Sequence, residues 1–231
     1  HYGKNSDVYK ENLEAIERSV ISLVPARYLV KYFNTDKVIY FSHGVDNKTF
    51  YPNETPPLAH NLLMVANNGL GGYGSHDRKG FELGIKTAMS RNLPITIVGP
   101  KNNQNWFDAN PWIGGYPKLS ILENPSNDML RQIYTSHTIF LHPSELEAGH
   151  PNLTLLEAAA CGLPIVGTLE METTFHGLWR APRDLNEMLQ GLDTIIKEYH
   201  QYRTRAIKTS QELSWLNRSK ELITVYERYF N

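Results

Sequence analysis

The sequence predicts an α/β fold in which a parallel sheet is covered by helices on both faces. Segments with strand and helix character alternate from residue 37 to residue 200. The strand segments are continuous apolar runs rather than alternating patterns, as expected for strands buried on both faces. Glycine-rich and polar stretches follow the ends of these strands, which is where ligands bind in sheets of this kind.

Apolar patterning and helix start and stop residues define the individual elements. Strands are predicted at residues 37–41, 61–66, 95–98, 119–122, 138–141 and 165–166, and a short apolar run lies at 20–24. Helices are predicted at residues 7–19, 25–33, 79–90, 126–136, 184–200 and 215–230, with a further helix between the last two. The helix at 184–200 begins with a capping box formed by Asp184 and Glu187. The polar stretch 99–115 has room for a short helix.

Composition excludes several classes of protein. The 231 residues suffice for one large domain, or for one domain and a fragment. The 23 basic and 24 acidic residues leave a net charge of −1, so bulk charge does not indicate nucleic acid binding. One cysteine, Cys161, excludes an internal disulfide framework and fits a reducing compartment. No apolar run approaches the roughly 20 residues of a membrane-spanning helix, and we expect a cytoplasmic protein.

A glycine-rich stretch follows the predicted strand at 61–66. Residues 69–74 spell G-x-G-x-x-G, a pattern that opens a helix in dinucleotide-binding folds. Here the helix is predicted to begin only near Lys79. The strand at 95–98 ends in Gly-Pro-Lys, without an acidic residue for a ribose hydroxyl. The stretch therefore does not predict an NAD site.

Residues 142–168 (HPSELEAGHPNLTLLEAAACGLPIVGT) combine a loop, a compact helix, a glycine stop and a buried strand. Asn152 and Thr154 are both suitable helix N-caps. Gly162 suits the left-handed position that follows a helix end. The helix N-terminus faces a polar loop, so its backbone N–H groups and partial positive charge suit a phosphate.

This segment resembles the nucleotide-binding signature of the GT-B glycosyltransferases, in particular their large retaining, family 4-like group. The matching residues are Pro143-Ser144, Glu157-Ala158, Gly162 and Pro164. The family's two glutamates have seven residues between them, and that spacing leads back from Glu157 to Gly149. Glu147 is the nearest acid, two residues early. Either the loop carries an insertion or the first glutamate is missing.

The resemblance covers residues 38–230 and implies the Rossmann-like, C-terminal donor-binding half of a GT-B enzyme. It implies a hexosyltransferase-type enzyme of carbohydrate biosynthesis, which moves a sugar from a UDP- or GDP-sugar to an acceptor hydroxyl without a further cofactor. Glu157 would accept both ribose hydroxyls. Lys79 would neutralise the leaving diphosphate, which gathers negative charge in the transition state, and Glu147 would contact the sugar. The other donor-binding candidates are Arg78, Gly71, Gly72, Asn152, Leu153, Thr154, Ile121 and Glu123.

Several of these residues also have a structural interpretation. Thr154 and Glu157 form a T-x-x-E capping box, in which the glutamate would reach back to the cap N–H. Arg78 and Lys79 could form a solvated helix start, although positive charge is unfavourable at a helix N-terminus. The acids at 145–147 could belong to a solvated loop. The nine histidines show no ligand spacing, so no metal site is predicted.

Residues 1–35 are predicted to be the remnant of an N-terminal acceptor domain, or alternatively an extension. Residues 36–231 are predicted to form the donor-binding domain, ending in the long helix that the family carries back to its partner domain. Because the chain starts at His1, we expect a fragment or trimmed chain that binds donor without turnover. A glycan or lipid-linked acceptor would bind the missing domain, which could also hold the protein at a membrane surface. The alternatives are a non-catalytic, degenerate nucleotide-sugar-binding module and a sugar-nucleotide epimerase of the same fold.

Overall fold

The computed structural model describes residues 6–67, 77–99, 103–145, 151–168 and 175–230. The described α-helices are α1 (Asp7–Arg18), α2 (Arg27–Phe33), α3 (Phe81–Ser90), α4 (Gln104–Asp108), α5 (Asn127–Thr135), α6 (Leu153–Ala160), α7 (Leu185–Lys197), α8 (Tyr199–Glu212) and α9 (Trp215–Phe230). The strands are β1 (Ser22–Val24), β2 (Val38–Tyr40), β3 (Leu62–Val65), β4 (Ile95–Gly99), β5 (Leu119–Glu123), β6 (Ile139–His142), β7 (Ile165–Gly167) and β8 (Leu178–Arg180). A 3-10 helix spans Pro111–Gly115.

The main sheet has six parallel strands in the order β5-β4-β3-β6-β7-β8. The chain builds β3, β4 and β5 outward in one direction, then crosses back to place β6 on the other side of β3. This reversal makes a topological switch point between β3 and β6, and ligands bind outside the carboxyl ends of the strands at such a point. The predicted parallel α/β fold is confirmed.

Helices cover both faces of this sheet, as the apolar strand runs predict. Successive residues of β3 point to opposite faces. Leu62 and Met64 join the core that includes residues of α3 and α7, and Leu63 joins the core that includes residues of α5 and α6. All three side chains are buried, because each face of the central strand has its own layer of helices.

The predicted helices and strands agree with the observed bounds to within three residues, but three details were wrong. The helix expected near Lys79 begins at Phe81, because Gly80 has a left-handed φ of 74°. The helix expected to reach residue 200 ends at Lys197, and α8 starts two residues later. No strand was predicted at β8, because its two apolar residues, Leu178 and Trp179, are followed at once by the charged Arg180.

Residues 6–41 form a small unit with its own core. Its strands β1 and β2 pair in parallel with each other, in a sheet separate from the six-stranded one. Ile16, Val24 and Val38 are buried together between this pair and the helices α1 and α2. The assignment of residues 1–35 to an acceptor domain stays a prediction.

The segment that follows this unit lies against the start of α9. Val45 donates its backbone N–H to the carbonyl oxygen of Leu213 at 3.0 Å, and Trp215 donates to the carbonyl oxygen of Val45 at 2.9 Å. None of the residues of α9 is buried, and the helix exposes Leu216, Ile223 and Phe230. Within the described ranges, no helix is long and apolar enough to cross a membrane.

Candidate functional site

The predicted site residues that the structure describes lie mainly where strands end at the carboxyl edge of the sheet. Arg78 and Lys79 follow β3, Glu123 ends β5, and Asn152 to Thr154 start α6 after β6. Three further candidates, Gly71, Gly72 and Glu147, lie outside the described residues.

The loops that follow β3 and β6 contact each other directly. Glu145 donates its backbone N–H to the carbonyl oxygen of Arg78 at 2.9 Å. A Cβ added to Gly80 would lie 2.3 Å from the carbonyl oxygen of Pro143, so the two backbones approach more closely than any other residue type permits. Lys79, which directly precedes Gly80, is only 9% exposed, which is unusual for a lysine. The switch point therefore carries a partly enclosed cation.

The N-terminus of α3 is occupied by a carboxylate of the chain itself. Asp77 accepts hydrogen bonds from the backbone N–H groups of Phe81 at 2.9 Å and of Glu82 at 2.7 Å. Burial raises the pKa of Asp77, and these hydrogen bonds oppose the increase. Sequence analysis missed this cap, although an aspartate just before a helix is a recognised start signal. The carboxylate of Asp77 therefore takes the place that a bound anion would have at the N-terminus of α3.

The N-terminus of α6 is arranged differently. Asn152 is the N-cap, and its side-chain oxygen accepts the backbone N–H of Leu155 at 3.0 Å. Its amide nitrogen lies 2.9 Å from Nε2 of the buried His142. Among the described residues, no group accepts the backbone N–H of Leu153 or Thr154. Two N–H groups at this helix start are thus available for a phosphate.

The structural alternative for Glu157, a capping box with Thr154, is wrong. Thr154 lies inside the helix, because Asn152 caps it two residues earlier. Glu157 instead accepts a hydrogen bond from the hydroxyl of Tyr134, at 2.9 Å from Oε2. Burial raises the pKa of Glu157, and the Tyr134 hydroxyl lowers it. Groups whose pKa is shifted by burial and by a specific partner are concentrated at functional sites, so Glu157 is a candidate ligand-binding residue.

Arg183, which sequence analysis did not single out, joins the two loops. It lies between β8 and α7 and donates from Nη2 to the carbonyl oxygen of Asp77 and from Nε to that of Pro143 at 3.3 Å. Nη1 also lies 3.6 Å from a carboxylate oxygen of Glu145. One guanidinium therefore contacts both loops of the switch point, which suits its fork of five donors.

Replacing Arg183 with methionine is expected to lower the free energy of unfolding by about 1–2 kcal/mol, because two carbonyl contacts are lost. Urea denaturation measures this change. Arg18→Met is the control, because Arg18 contacts Glu14 at 3.5 Å on the exposed side of α1, where ion pairs contribute little. Equal losses in the two variants would contradict a role for Arg183 in joining the loops.

Ile121 and Glu123 lie on β5, at the edge of the sheet. Ile121 is 39% exposed and Glu123 is exposed, because β4 is the one neighbour of this strand in the sheet. β5 is three strand positions from β6, or about 14 Å at roughly 4.8 Å for each spacing. These two residues are thus well separated from the N-terminus of α6, and a ligand that contacts both must be extended.

Two other features of the described residues lie apart from this edge. A cavity of about 510 Å³ lies at the amino edge of the sheet. It is lined by the segment around Pro56, which precedes β3, and by the junction between α7 and α8. Burial raises the pKa of Cys161 to about 12, so its thiol stays neutral and is not a nucleophile. Within the described ranges, no group of three or more potential ligands could hold a metal ion.

The parallel sheet with helices on both faces, its switch point and the open start of α6 define a Rossmann-like α/β domain. The chain belongs to the glycosyl transferases group 1 family, whose model matches residues 71–198, more than half of the sequence. No curated protein matches the chain in a sequence comparison.

Solved structures show the same fold at low sequence identity. Sucrose-phosphate synthase from Thermosynechococcus elongatus is 16% identical with a TM-score of 0.75, and the match covers 95% of this chain and 60% of that one. WaaG, a glycosyltransferase involved in lipopolysaccharide biosynthesis, is 14% identical with a TM-score of 0.65, over 91% of this chain and 66% of WaaG. The pneumococcal O-GlcNAc transferase GtfA is 14% identical with a TM-score of 0.73, and the match covers 98% of this chain and 48% of GtfA. The fold is that of a GT-B C-terminal domain, and the chain spans less than two thirds of these proteins.

Proposed function

We propose that the chain is the donor-binding domain of a retaining glycosyltransferase that uses a nucleoside diphosphate sugar. The observation that carries this proposal is the start of α6, where the N–H groups of Leu153 and Thr154 are available beside the switch point. Membership of the glycosyl transferases group 1 family supports it. So does GtfA, which was crystallised in complex with UDP and GlcNAc.

The proposed donor lies along the carboxyl edge of the sheet. Its diphosphate accepts hydrogen bonds from the start of α6 and charge from Lys79, and both interactions strengthen as the nucleotide departs. Arg78 adds positive charge beside Lys79. Glu157 accepts the ribose hydroxyls, and the base lies toward Ile121 and Glu123 on the exposed edge strand. A UDP or GDP moiety has the extended shape that this separation requires.

Three further roles complete the proposal. Glu147 contacts the transferred sugar, and Gly71 and Gly72 let the backbone approach the donor closely. The acceptor hydroxyl belongs to a glycan or a lipid-linked molecule held by a second domain, to which residues 1–35 belong. A cytoplasmic location, with peripheral membrane contact through that domain, fits such an acceptor.

Isothermal titration calorimetry with UDP, GDP and their sugars tests donor binding, with Glu157→Gln as the informative variant. We expect the wild-type chain to bind one of the two nucleotides, and the variant to bind it about tenfold more weakly, because a charged acceptor becomes neutral. Glu212→Gln is the control, since Glu212 is exposed on α8 and pairs with Lys208.

The same variant should not lose stability. The pKa of Glu157 is raised in the folded chain, so its ionised form costs folding free energy above that pKa, and the cost disappears as pH falls through it. Glu157→Gln should therefore raise the unfolding temperature at neutral pH.

If neither nucleotide binds at millimolar concentration and the variant matches wild type in calorimetry, the chain is a degenerate, non-catalytic module.

A further inference from the structure

We propose that Tyr134 is the positioning residue that aims Glu157 at the ribose, and so makes donor binding depend on the ribose hydroxyls. This inference rests on the proposed function. The inference extends that function by assigning the preference for ribonucleotides to Tyr134 on α5 and Glu157 on α6.

The ring of Tyr134 is held rigidly. It lies in the last turn of α5 and is completely buried. Phe50 packs edge-on against it with ring centroids 5.9 Å apart, and Phe140 packs at 6.0 Å. Because aromatic neighbours on two sides restrict the ring, the position of its hydroxyl is fixed by the core rather than by solvent.

The direction of the hydrogen bond follows from the two groups. A phenol has one proton to donate, and a carboxylate only accepts. The Tyr134 hydroxyl lies 2.9 Å from Oε2 of Glu157 and only 3.5 Å from the carbonyl oxygen of Thr154, so the carboxylate is the main acceptor. Among the described residues, no hydrogen bond reaches Oε1 of Glu157. One carboxylate oxygen is thus fixed, and the other is left for a ligand hydroxyl.

The charges around the pair keep it in this form. Burial raises the pKa of Tyr134 well above its ordinary value, and the neighbouring Glu157 and Cys161 add to the increase. Burial also raises the pKa of Glu157, and the Tyr134 hydrogen bond is the contribution that lowers it. Cys161, the C-cap of α6, is neutral because burial raises its pKa to about 12. The positive charge of Arg131 on α5 lowers the pKa of Cys161 only in part. Tyr134 therefore stays a donor and helps Glu157 stay ionised.

The test compares each nucleoside diphosphate with its 2′,3′-dideoxy analogue, using whichever of UDP and GDP binds the wild type more tightly. The ratio of the two dissociation constants isolates the ribose hydroxyls, because both ligands carry the same base and diphosphate. We expect Tyr134→Phe to reduce this ratio about fivefold and to leave the affinity for the dideoxy analogue within about twofold.

The pH dependence of the ratio gives a second readout. The carboxylate of Glu157 accepts from the ribose only when ionised, so the ratio falls as pH decreases through the pKa of Glu157. Without the Tyr134 hydroxyl this pKa rises further, and the fall should occur at higher pH in Tyr134→Phe than in wild type. A residue that only filled space would not shift this profile.

Tyr116→Phe is the matched control. Tyr116 is also buried, and its hydroxyl donates mainly to the carbonyl oxygen of Leu93 at 2.5 Å, with that of Ala88 at 3.2 Å, away from Glu157. In a Glu157→Gln background, Tyr134→Phe should leave the ratio unchanged. Tyr134 acts through the carboxylate of Glu157, so its hydroxyl has no further effect on the ratio once that carboxylate is replaced.

The outcomes separate the inference from the function on which it rests. If the wild-type chain binds neither UDP nor GDP, the proposed function fails. If the wild type binds with a ribose preference that Glu157→Gln removes, while Tyr134→Phe keeps the wild-type ratio and pH profile, the inference alone is overturned. It is also overturned if Tyr134→Phe weakens both ligands equally, or if Tyr116→Phe changes the ratio as much.

Discussion

Replacing Gly80 with alanine should lower the free energy of unfolding by about 2–5 kcal/mol. The φ of Gly80 is 74°, a left-handed conformation that costs other residues roughly 1–2 kcal/mol. The added Cβ would also lie 2.3 Å from the carbonyl oxygen of Pro143 and 2.9 Å from its Cβ. The closest of these atoms is backbone rather than the end of a flexible side chain, so the loops after β3 and β6 must separate.

Gly114→Ala provides the matched control for this substitution. Gly114 lies in the 3-10 helix, and a Cβ added there meets no atom within 4 Å. The same chemical change should then alter stability by no more than about 0.5 kcal/mol. Urea denaturation of both variants measures the difference. Losses below about 1 kcal/mol for Gly80→Ala would show that the two loops do not need their close approach.

The fold was predictable because its signals are local. Apolar runs of four or five residues mark the central strands, and Gly162, with a φ of 83°, ends α6 where the sequence indicates. The parallel sheet follows from the alternation of strands and helices, without knowledge of any long-range contact. The strand β8 was missed because Leu178 and Trp179 are followed by the charged Arg180, so no apolar run separates them from a loop.

The site was less predictable, because its contacts join distant parts of the chain. Arg183 and Asp77 are 106 residues apart, and no local pattern relates them. Tyr134 and Glu157 lie 23 residues apart on helices that follow different strands, so their pairing depends on how those helices pack. The cap of α6 had two local candidates, and the structure selects Asn152 rather than Thr154.

The predicted roles of Lys79 and Glu157 in donor binding differ in kind from these structural assignments. Their positions in the fold are established, and both lie on elements that begin at the carboxyl edge of the sheet. Their roles depend on a ligand, which neither apolar patterning nor packing specifies. Binding measurements on variants of Lys79 and Glu157 are therefore needed to test these roles.

Replacing Lys79 with methionine should weaken binding of UDP or GDP by about 30- to 100-fold, which corresponds to roughly 2–3 kcal/mol. Lys79 is 9% exposed, so its charge acts on a phosphate with less screening by water than a surface lysine would. Methionine keeps the length and flexibility of the side chain and removes the ammonium group, with its charge and its donors. Affinity for the nucleoside without phosphates should change by less than about twofold.

Lys86→Met tests the same substitution on α3, the helix that begins two residues after Lys79. Lys86 pairs with Glu82 on the exposed side of α3, where both side chains are about half exposed. It carries the same charge as Lys79, so the overall electrostatic change is equal in the two variants, and only the position differs. If both variants lose affinity equally, the chain attracts the diphosphate through its general charge. If only Lys79→Met loses affinity, and only for ligands with phosphates, the buried ammonium contacts the diphosphate, as donor activation at this edge of the sheet requires.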